Sequence, residues 1–233
     1  MRHFLTFDGQ STKDFGVYIS GSGTFGAPER DVESQDIPGK NGAVIIDNGS
    51  YKNRPLSYPA FIYKDFNINV EGLRNMLLTH STNYYRIEDT YHPQEFLMGR
   101  WTGGFEPEME EDLKAGRFEF KFDCKPQRFL MSGERAIDMQ SSGNILNPTP
   151  QIAKPLLRVF GTGSFIINGS TVTISAADVY TDIDCDIQEA YRGTTNCNDN
   201  VSGNYPELSP GKNLVTLNSG ITRIVIYPRW WIL

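Results

Sequence analysis

The stretch "RFEFKFDC", residues 117–124, is the clearest secondary-structure signal in the sequence. Phe118, Phe120, Phe122 and Cys124 alternate in it with charged side chains. Because successive side chains of a strand point to opposite faces, this period of two predicts a β-strand with one buried face and one solvated face. The chain is therefore expected to build its core from β-sheets.

Upstream of this strand the sequence predicts a single helix. The segment "NVEGLRNMLLTH", residues 69–80, has apolar side chains at helical spacing and begins with Asn69 as the expected cap. The residues of its apolar face are Val70, Leu73, Met76 and Leu77. One helix among many strands is typical of an α+β domain.

The remaining segments of this half are predicted to be strands. "HFLTF" and "FGVYIS" favour a hairpin with Gly9 in its turn, because such turns require a positive φ. In "PLSYPAFIYK", Pro55 and Pro59 favour an edge or bulged strand, because proline cannot donate to a ladder.

A change of composition at residues 139–155, "MQSSGNILNPTPQIAKP", predicts the domain boundary. The domains are therefore expected to be residues 1–138 and 139–233. Beyond the boundary, Asn168-Gly169 lies between two alternating runs and predicts a type I′ hairpin. Residues 218–220 predict a second hairpin, and the short strands together indicate a small β-sandwich.

Charge and composition exclude several classes of protein. The net charge is −6, and the 22 Lys and Arg residues are scattered, so no basic stripe for nucleic acid is expected. The three cysteines lack metal-ligand spacing and fit a reduced compartment. No apolar run resembles a signal peptide or a membrane span, so we expect synthesis in the cytoplasm and no membrane contact.

Motifs for cofactors and catalysis lack their required context. "GSGTFG", residues 21–26, satisfies G-x-G-x-x-G, but the segment after it has no apolar helical stripe and meets Pro38. His3, His80 and His92 lie far apart in the sequence. We therefore assign no catalytic residue, no cofactor, no cofactor-binding residue and no metal ligand.

Two features leave alternatives open. Asp182, Asp184 and Asp186 share one strand face, which favours a solvated outer face, while a divalent-ion site or a hydrolase remains the alternative. Trp230 and Trp231 are adjacent, so only one could stack on a sugar and the other is expected to anchor the terminus.

The polar stretch "RDVESQDIPGKNGAVIIDNGSYKNR", residues 30–54, admits three interpretations. It could form a phosphate cradle, a catalytic carboxylate cluster or a surface that meets another copy of the chain. "PGKNG" within it lacks the upstream glycine and the hydroxyl of a Walker loop, and therefore favours a turn.

Three segments together resemble the distal tail protein family of long-tailed bacteriophages. They are "GSGTFGAPERDVESQDIPGKNGAVIIDNGSYKN", the aromatic strand ending "FDCKPQRFL", and the closing "YPELSPGKNLVTLNSGITRIVIYPRWWIL". Their order and approximate spacing match the family, and the resemblance spans nearly the whole chain. It implies a mainly β protein in which a β-rich, ring-forming domain with one helix precedes a galectin-like β-sandwich.

The resemblance also implies a structural role. In that family six copies close into a ring at the far end of the tail tube. The ring joins the tube protein to the tail-tip protein and, in several relatives, supports receptor-binding proteins. The chain is then expected to be a component of the virion tail tip and not an enzyme. Sugar binding does not carry over, because the carboxyl-terminal domain contains no histidine.

Of the three interpretations of the polar stretch, we favour a surface that meets another copy of the chain in a ring. Head-to-tail rings require two different surfaces on each subunit. We expect charge complementarity from Arg30, Asp31, Glu33 and Asp36, and an interface strand from Ala43, Val44, Ile45 and Ile46. A solvent-exposed loop is the alternative for the polar half.

The net negative charge of the chain suits a ring through which genomic DNA passes without specific binding. Adhesion to phosphate increases with the number of cationic contacts, and a negative lining would offer few. The alternative function is a carbohydrate-binding module that attaches the virion to the host cell wall.

Overall fold

The computed structural model describes residues 2–21, 26–62, 65–80, 82–109 and 115–233. Contacts divide the chain into two compact units, Met1–Arg128 with Leu233, and Phe129–Ile232. In the described part of the chain, no helix combines the length and the apolar character needed to cross a bilayer.

Within its described residues, the first unit is a curled antiparallel sheet with one α-helix. Its strands are β1 Leu5–Phe7, β2 Gln10–Ser11, β3 Val17–Ile19, β4 Arg30–Asp36, β5 Ala43–Tyr51, β6 Arg54–Ile62, β7 Tyr85–Asp89, β8 Glu95–Trp101, β9 Glu108–Met109 and β10 Gly116–Leu130, and its helix is α1 Phe66–Thr79. The strand order is β2-β1-β7-β8-β10-β6-β3, with β9 beside β10. Strands β4 and β5 form a separate two-stranded sheet.

Strand β10 confirms the predicted alternation. Phe120, Phe122 and Cys124 are almost fully buried, and Phe118 packs against the same core from a partly buried position. The aromatic rings of Phe120 and Phe122 stack at 5.9 Å between centroids. This face of β10 is therefore the centre of the core of the first unit.

Helix α1 confirms the predicted apolar face, whose four residues are all buried. Its start was predicted three residues too late. The helix begins at Phe66, capped by the left-handed residue Asp65, and Asn69 lies inside it. Phe66 is itself buried, and it extends the apolar stripe by one turn because it lies four residues before Val70.

The predicted amino-terminal hairpin is confirmed only in part, because its two segments meet at a single antiparallel bridge between His3 and Ile19. Strand β1 pairs with β2 and β7, whereas β3 pairs with β6. The tight turn is formed by Asp8 and Gly9, both at positive φ. Thr12 is fully buried and bonds Leu5 N and Val17 O, so the segment after β2 is tied into the unit and does not form a long loop.

The predicted edge position of β6 is confirmed only for part of the strand, because β6 lies between β10 and β3 and its two prolines precede the residues that β3 covers. Along its whole length β6 pairs with β10, but β3 covers only residues 60–62. Ser20 N donates to Pro59 O at 2.8 Å, so Pro59 faces the β3 side. Pro55 lies four residues earlier and faces the same way. The β10 ladder therefore loses no donor to either proline.

The second unit is a β-sandwich. Its strands are β11 Ile137–Met139, β12 Gly143–Asn147, β13 Leu156–Gly161, β14 Gly163–Ile167, β15 Ser170–Ile174, β16 Thr181–Asp184, β17 Glu189–Arg192, β18 Thr195–Asn196, β19 Val201–Gly203, β20 Gly211–Leu217, β21 Ile221–Tyr227 and β22 Trp231–Ile232. One sheet has the order β11-β21-β13-β16-β17-β18, and the other has the order β12-β20-β14-β15-β19. Buried side chains of both sheets form a single core, which confirms the mainly β fold.

Of the two hairpins predicted in this unit, one is confirmed. Asn168 and Gly169 adopt φ of 50° and 85° and connect β14 to β15. Residues 218–220 instead carry the chain from one sheet to the other, because β20 and β21 belong to different sheets. A Cβ at Gly220 would lie 1.9 Å from Thr162 O, so glycine allows this close crossing.

The contact division falls ten residues before the predicted boundary at 138/139. Strand β11 pairs with β21 from Ile137 to Met139, so these residues belong to the sandwich. The polar, proline-rich composition of residues 139–155 therefore describes the surface of the second unit, whereas packing determines where that unit begins.

Candidate assembly surface

The polar stretch forms a projecting β-hairpin, which we call the arm: β4, the turn at residues 37–42, and β5. Its strands pair with each other and with no other strand of the described chain. The register places Glu33 opposite Ile46 and Ser34 opposite Ile45. Gly39 and Gly42 supply the positive φ of the turn. The polar half is therefore a strand, and the loop alternative is wrong about its conformation.

Both faces of the arm are exposed to solvent. Ile45 is 67% exposed on one face and Ile46 is 45% exposed on the other. Val32 and Ile37 add further exposed apolar surface. A two-stranded hairpin is marginally stable alone, and its edges present unpaired backbone groups. The arm therefore has the properties of a segment that is completed by a partner.

Polar contacts fix the base of the arm. Arg30 donates two hydrogen bonds to Asp47, at 2.9 and 2.8 Å, and its guanidinium lies 4.7 Å from the ring centroid of Tyr51. The hydrogen bonds from Arg30 and from Gly49 N lower the pKa of the Asp47 carboxyl. Beside this pair Ser50 donates to Asp31 at 3.2 Å. These contacts hold the two strands together where they leave the unit.

The structure gives the eight predicted interface residues different surroundings. Arg30 is paired with Asp47 within the arm, so its charge is balanced there, whereas Asp31 accepts a hydrogen bond from the neutral Ser50 hydroxyl and keeps its charge. Glu33 and Asp36 are exposed and have no ion-pair partner within the described residues. The four residues of the predicted interface strand, Ala43, Val44, Ile45 and Ile46, all lie in β5.

Sequence reasoning missed the exposed Val32 and Ile37 and the pairing of Arg30 with Asp47. Alternating residues on each side of the Pro38–Gly42 turn carried the signal for a hairpin. That signal was overlooked because β4 contains few large apolar residues.

The acidic row of β16 is not a solvated face, contrary to prediction. Asp182 is 4% exposed and Asp184 is 6% exposed. Arg158 donates to both oxygens of Asp182 at 2.7 and 2.8 Å, and Arg229 does the same for Asp184 at 2.7 and 2.8 Å. Only Asp186 is exposed, and it lies 3.8 Å from the Lys154 ammonium.

These pairs leave little capacity for metal binding or hydrolysis. Burial by itself would raise the pKa of Asp184, but the hydrogen bonds and charge of Arg229 outweigh it and the pKa is lowered. The pKa of Arg158 is raised, chiefly by its hydrogen bonds to Asp182. In the described part of the chain, no group of three His, Cys, Asp or Glu side chains is arranged to hold a metal ion.

The remaining motifs also have structural explanations. Residues 22–25 of the glycine motif lie outside the described residues, and β4 follows it where a dinucleotide site would need a helix. His3 contacts Thr90, whereas His80 and His92 contact Asp8 and Asp89 respectively. The three imidazoles therefore serve different local contacts.

The tryptophans do not form an open stacking platform. Trp230 is 4% exposed and belongs to the core of the sandwich, as expected for the anchoring residue. Trp231 is partly buried, and its indole donates to Ile152 O at 2.9 Å.

No family model matches the sequence, and no curated protein matches it either. Solved structures do match. The chain is similar to the Dit protein of phage SPP1, described as a paradigm of hub adsorption apparatus in phages that infect Gram-positive bacteria, with 14% identity, all of both chains covered and a TM-score of 0.74.

The chain is also similar to chains of the phage p2 baseplate in its activated conformation. The calcium form gives 10% identity, 97% of each chain and a TM-score of 0.53. The strontium form gives 9% identity, 97% of each chain and a TM-score of 0.50. These likenesses confirm, at the level of the fold, the resemblance to distal tail proteins.

Proposed function

We propose that this chain is a structural hub of a bacteriophage tail tip. Six copies close into a ring that joins the distal end of the tail tube to the tail-tip protein and supports receptor-binding proteins. The protein acts by assembly, and no bond is made or broken. Its place is the virion, after synthesis in the host cytoplasm.

The arm is the observation that carries this proposal. It exposes isoleucines on both faces, and neither face has a core of its own. Burying Ile45 and Ile46 against a neighbouring subunit would remove these side chains from water and stabilise the contact by about 2 kcal/mol or more. The fold likeness to the SPP1 protein, which is described as a hub, supports the same role.

A ring also gives a reason for a projecting element. Head-to-tail contacts need a donor surface and a different acceptor surface on every subunit. The arm is the donor, and the exposed carboxylates of Glu33 and Asp36 favour an acceptor that offers cations beside an apolar strip. Obligate contacts of this kind commonly bury about 2,000 Å² or more.

Net charge is compatible with a passage for genomic DNA. At −6 the chain repels phosphate on average, and tight DNA binding would require a basic lining. We infer that DNA passes through the ring without specific binding. Nitrocellulose filter binding at low salt tests this, and retention of duplex DNA at micromolar protein would contradict it.

The test of the ring is native mass spectrometry combined with negative-stain imaging. Wild-type protein is expected to form hexamers with a central opening at high concentration, because assembly depends on protomer concentration. Replacing Ile45 and Ile46 by Asp places charges in each contact, and the double variant is expected to stay monomeric.

Ile68→Asp is the matched control. Ile68 is 79% exposed on α1, so this variant introduces a charge at an exposed isoleucine outside the arm and should still assemble. Hexamers of the double arm variant at wild-type concentrations would show that the arm is not the contact. A map of intact virions that places the chain away from the DNA exit path would refute the hub itself.

A further inference from the structure

Three Asn-Gly pairs occur in the sequence, at residues 41–42, 48–49 and 168–169. Asparagine is chemically labile, and a following glycine favours its loss of ammonia, because no side chain hinders attack by the glycine nitrogen. The attack requires an amide side chain that can rotate and a glycine nitrogen that is free to approach it. The three pairs share the same two residues but differ in these requirements.

The pair in the second unit is held by hydrogen bonds at both ends of the asparagine amide. Asn168 Oδ1 accepts from Leu214 N at 3.1 Å, and its Nδ2 donates to Glu207 O at 3.2 Å and to Asn213 Oδ1 at 2.6 Å. Turning this amide towards Gly169 N would break all three bonds. The hairpin between β14 and β15 therefore protects its own asparagine.

The pair within β5 is restrained through its glycine. Gly49 N donates to Asp47 Oδ1 at 2.9 Å, and the Asp47 carboxylate is itself held by Arg30. Hydrogen bonds to an ionised acceptor are stronger than those to a neutral one. The Gly49 nitrogen is therefore engaged and would have to leave this bond to reach the Asn48 side chain.

The pair at the tip of the arm is unrestrained. Asn41 and Gly42 are both exposed in the turn between β4 and β5. Within the described residues, neither the Asn41 side chain nor the Gly42 N–H makes a hydrogen bond. A Cβ at Gly42 would have no neighbour within 4 Å, so there is room for the amide to turn towards the glycine nitrogen. This pair alone among the three meets both requirements.

We propose that Asn41 is a site of spontaneous deamidation. The Gly42 nitrogen loses its proton to solvent and attacks Cγ of Asn41, which forms an N–Cγ bond. The Cγ–Nδ2 bond breaks, and the side-chain nitrogen leaves as ammonia after taking up a proton. Water then opens the resulting succinimide ring to aspartate or to isoaspartate. Water is the co-reactant, and the reaction involves no oxidation or reduction.

The reaction changes the part of the arm that projects furthest along its two strands. A carboxylate replaces a neutral amide, so the tip gains a negative charge close to Asp36 at the end of β4. Isoaspartate also adds a methylene group to the backbone of the turn. Both changes alter the surface that the arm would offer to a neighbouring subunit. This consequence rests on the proposed function, whereas the reaction itself does not.

Peptide mass spectrometry of the native protein, incubated at pH 8 and sampled over time, tests the proposal. Deamidation should be about a hundredfold faster at Asn41 than at Asn168, because each of the three hydrogen bonds of Asn168 slows the reaction about fivefold. In urea the two rates should become similar, since both asparagines then precede glycine in an unrestrained chain. Equally slow reaction at Asn41 and Asn168 in the native protein would overturn the proposal.

Matched variants separate the two asparagines of the arm. Trypsin cleavage after Lys40 and Lys52 releases one peptide that contains both Asn41 and Asn48. Asn41→Gln should abolish the rapid mass gain of this peptide, because glutamine would have to form a larger ring, whereas Asn48→Gln should retain it. A gain that persists in Asn41→Gln and disappears in Asn48→Gln would refute the assignment.

The dependence on pH and the state of assembly complete the test. The rate at Asn41 should rise from pH 6 to pH 8, because the glycine nitrogen must lose its proton before it attacks. A rate that does not rise with pH would contradict this route. The reaction is followed at concentrations where native mass spectrometry shows monomers, so a failure of ring formation would leave the result unaffected.

Discussion

The pair formed by the buried Asp184 carboxylate and the partly exposed Arg229 guanidinium allows a sharp test of how this sandwich is stabilised. Replacing Arg229 by Met keeps much of the side-chain volume but leaves the Asp184 carboxylate buried without its two hydrogen bonds. Removing one partner of a buried ion pair typically destabilises a protein by about 3–5 kcal/mol. We expect the free energy of unfolding of the second unit to fall by an amount in this range.

Arg223→Met is the matched control. Arg223 also donates to both oxygens of its partner, Asp138, at 2.8 and 2.7 Å, but the side chain of Asp138 is 44% exposed, against 8% for Asp184. An exposed pair contributes about 1 kcal/mol or less. The two variants therefore compare similar bond geometry at different burial.

Urea unfolding followed by tryptophan fluorescence measures the difference. With an m-value of about 1.5 kcal/mol/M, Arg229→Met should lower the midpoint of the second unit by about 2 M or more. Arg223→Met should lower it by less than about 0.7 M. Equal shifts in the two variants would refute the argument that burial determines the cost.

The pH dependence gives a second check on the same pair. In the wild type the pKa of Asp184 is lowered, so its contribution is fully present above the unfolded pKa of about 3.9 and is lost as pH falls through the folded value. Without Arg229, burial should raise this pKa, and protonation should then relieve the unpaired charge. The stability gap between wild type and Arg229→Met is therefore expected to narrow between pH 7 and pH 5.

Two further predictions concern glycine and cysteine. Gly169 has a φ of 85° and open space around a new Cβ, so Gly169→Ala should lower the free energy of unfolding by about 1 kcal/mol. Gly220→Ala should lower it clearly more in thermal unfolding, because its Cβ would meet Thr162 O. Equal losses of stability in the two variants would contradict the close crossing. Burial raises the pKa of Cys124 and of Cys185 to about 12, so a thiol reagent at pH 8 should label only the partly exposed Cys197 in native protein and all three in urea. Labelling of Cys124 without denaturant, detected by peptide mass spectrometry, would contradict this.

Local signals in the sequence predicted those elements whose period or turn chemistry is self-contained. Phe120 and Phe122 established β10, the apolar face containing Leu73 established α1, and Asn168-Gly169 established a hairpin. Each of these depends on residues that are close in the chain. They were sufficient for the mainly β class and for the sandwich.

Predictions that depended on distant partners were less successful. The row containing Asp182 and Asp184 has the alternation of a solvated face, but Arg158 of β13 and Arg229, which lies between β21 and β22, cover it, and Arg229 is 45 residues from Asp184. The turn at residues 218–220 has hairpin chemistry, yet the two strands that it joins do not pair with each other. Strand β20 pairs with β14 in one sheet, and β21 pairs with β13 in the other. In the arm, the sequence identified the segment and its apolar strand but not the internal pairing of Arg30. The assignment of the arm to a subunit contact remains a prediction.

The prolines of β6 limit unwanted strand pairing at one side of this strand. On the side of β6 that no strand of the described residues covers, Ser57 is the one residue among positions 55, 57 and 59 with a backbone N–H. A strand from the chain's own arm or from a misaligned copy would meet too few backbone N–H donors there to form a β-ladder. Pro55 and Pro59 thus make this side of β6 a poor template for pairing with a strand from another molecule.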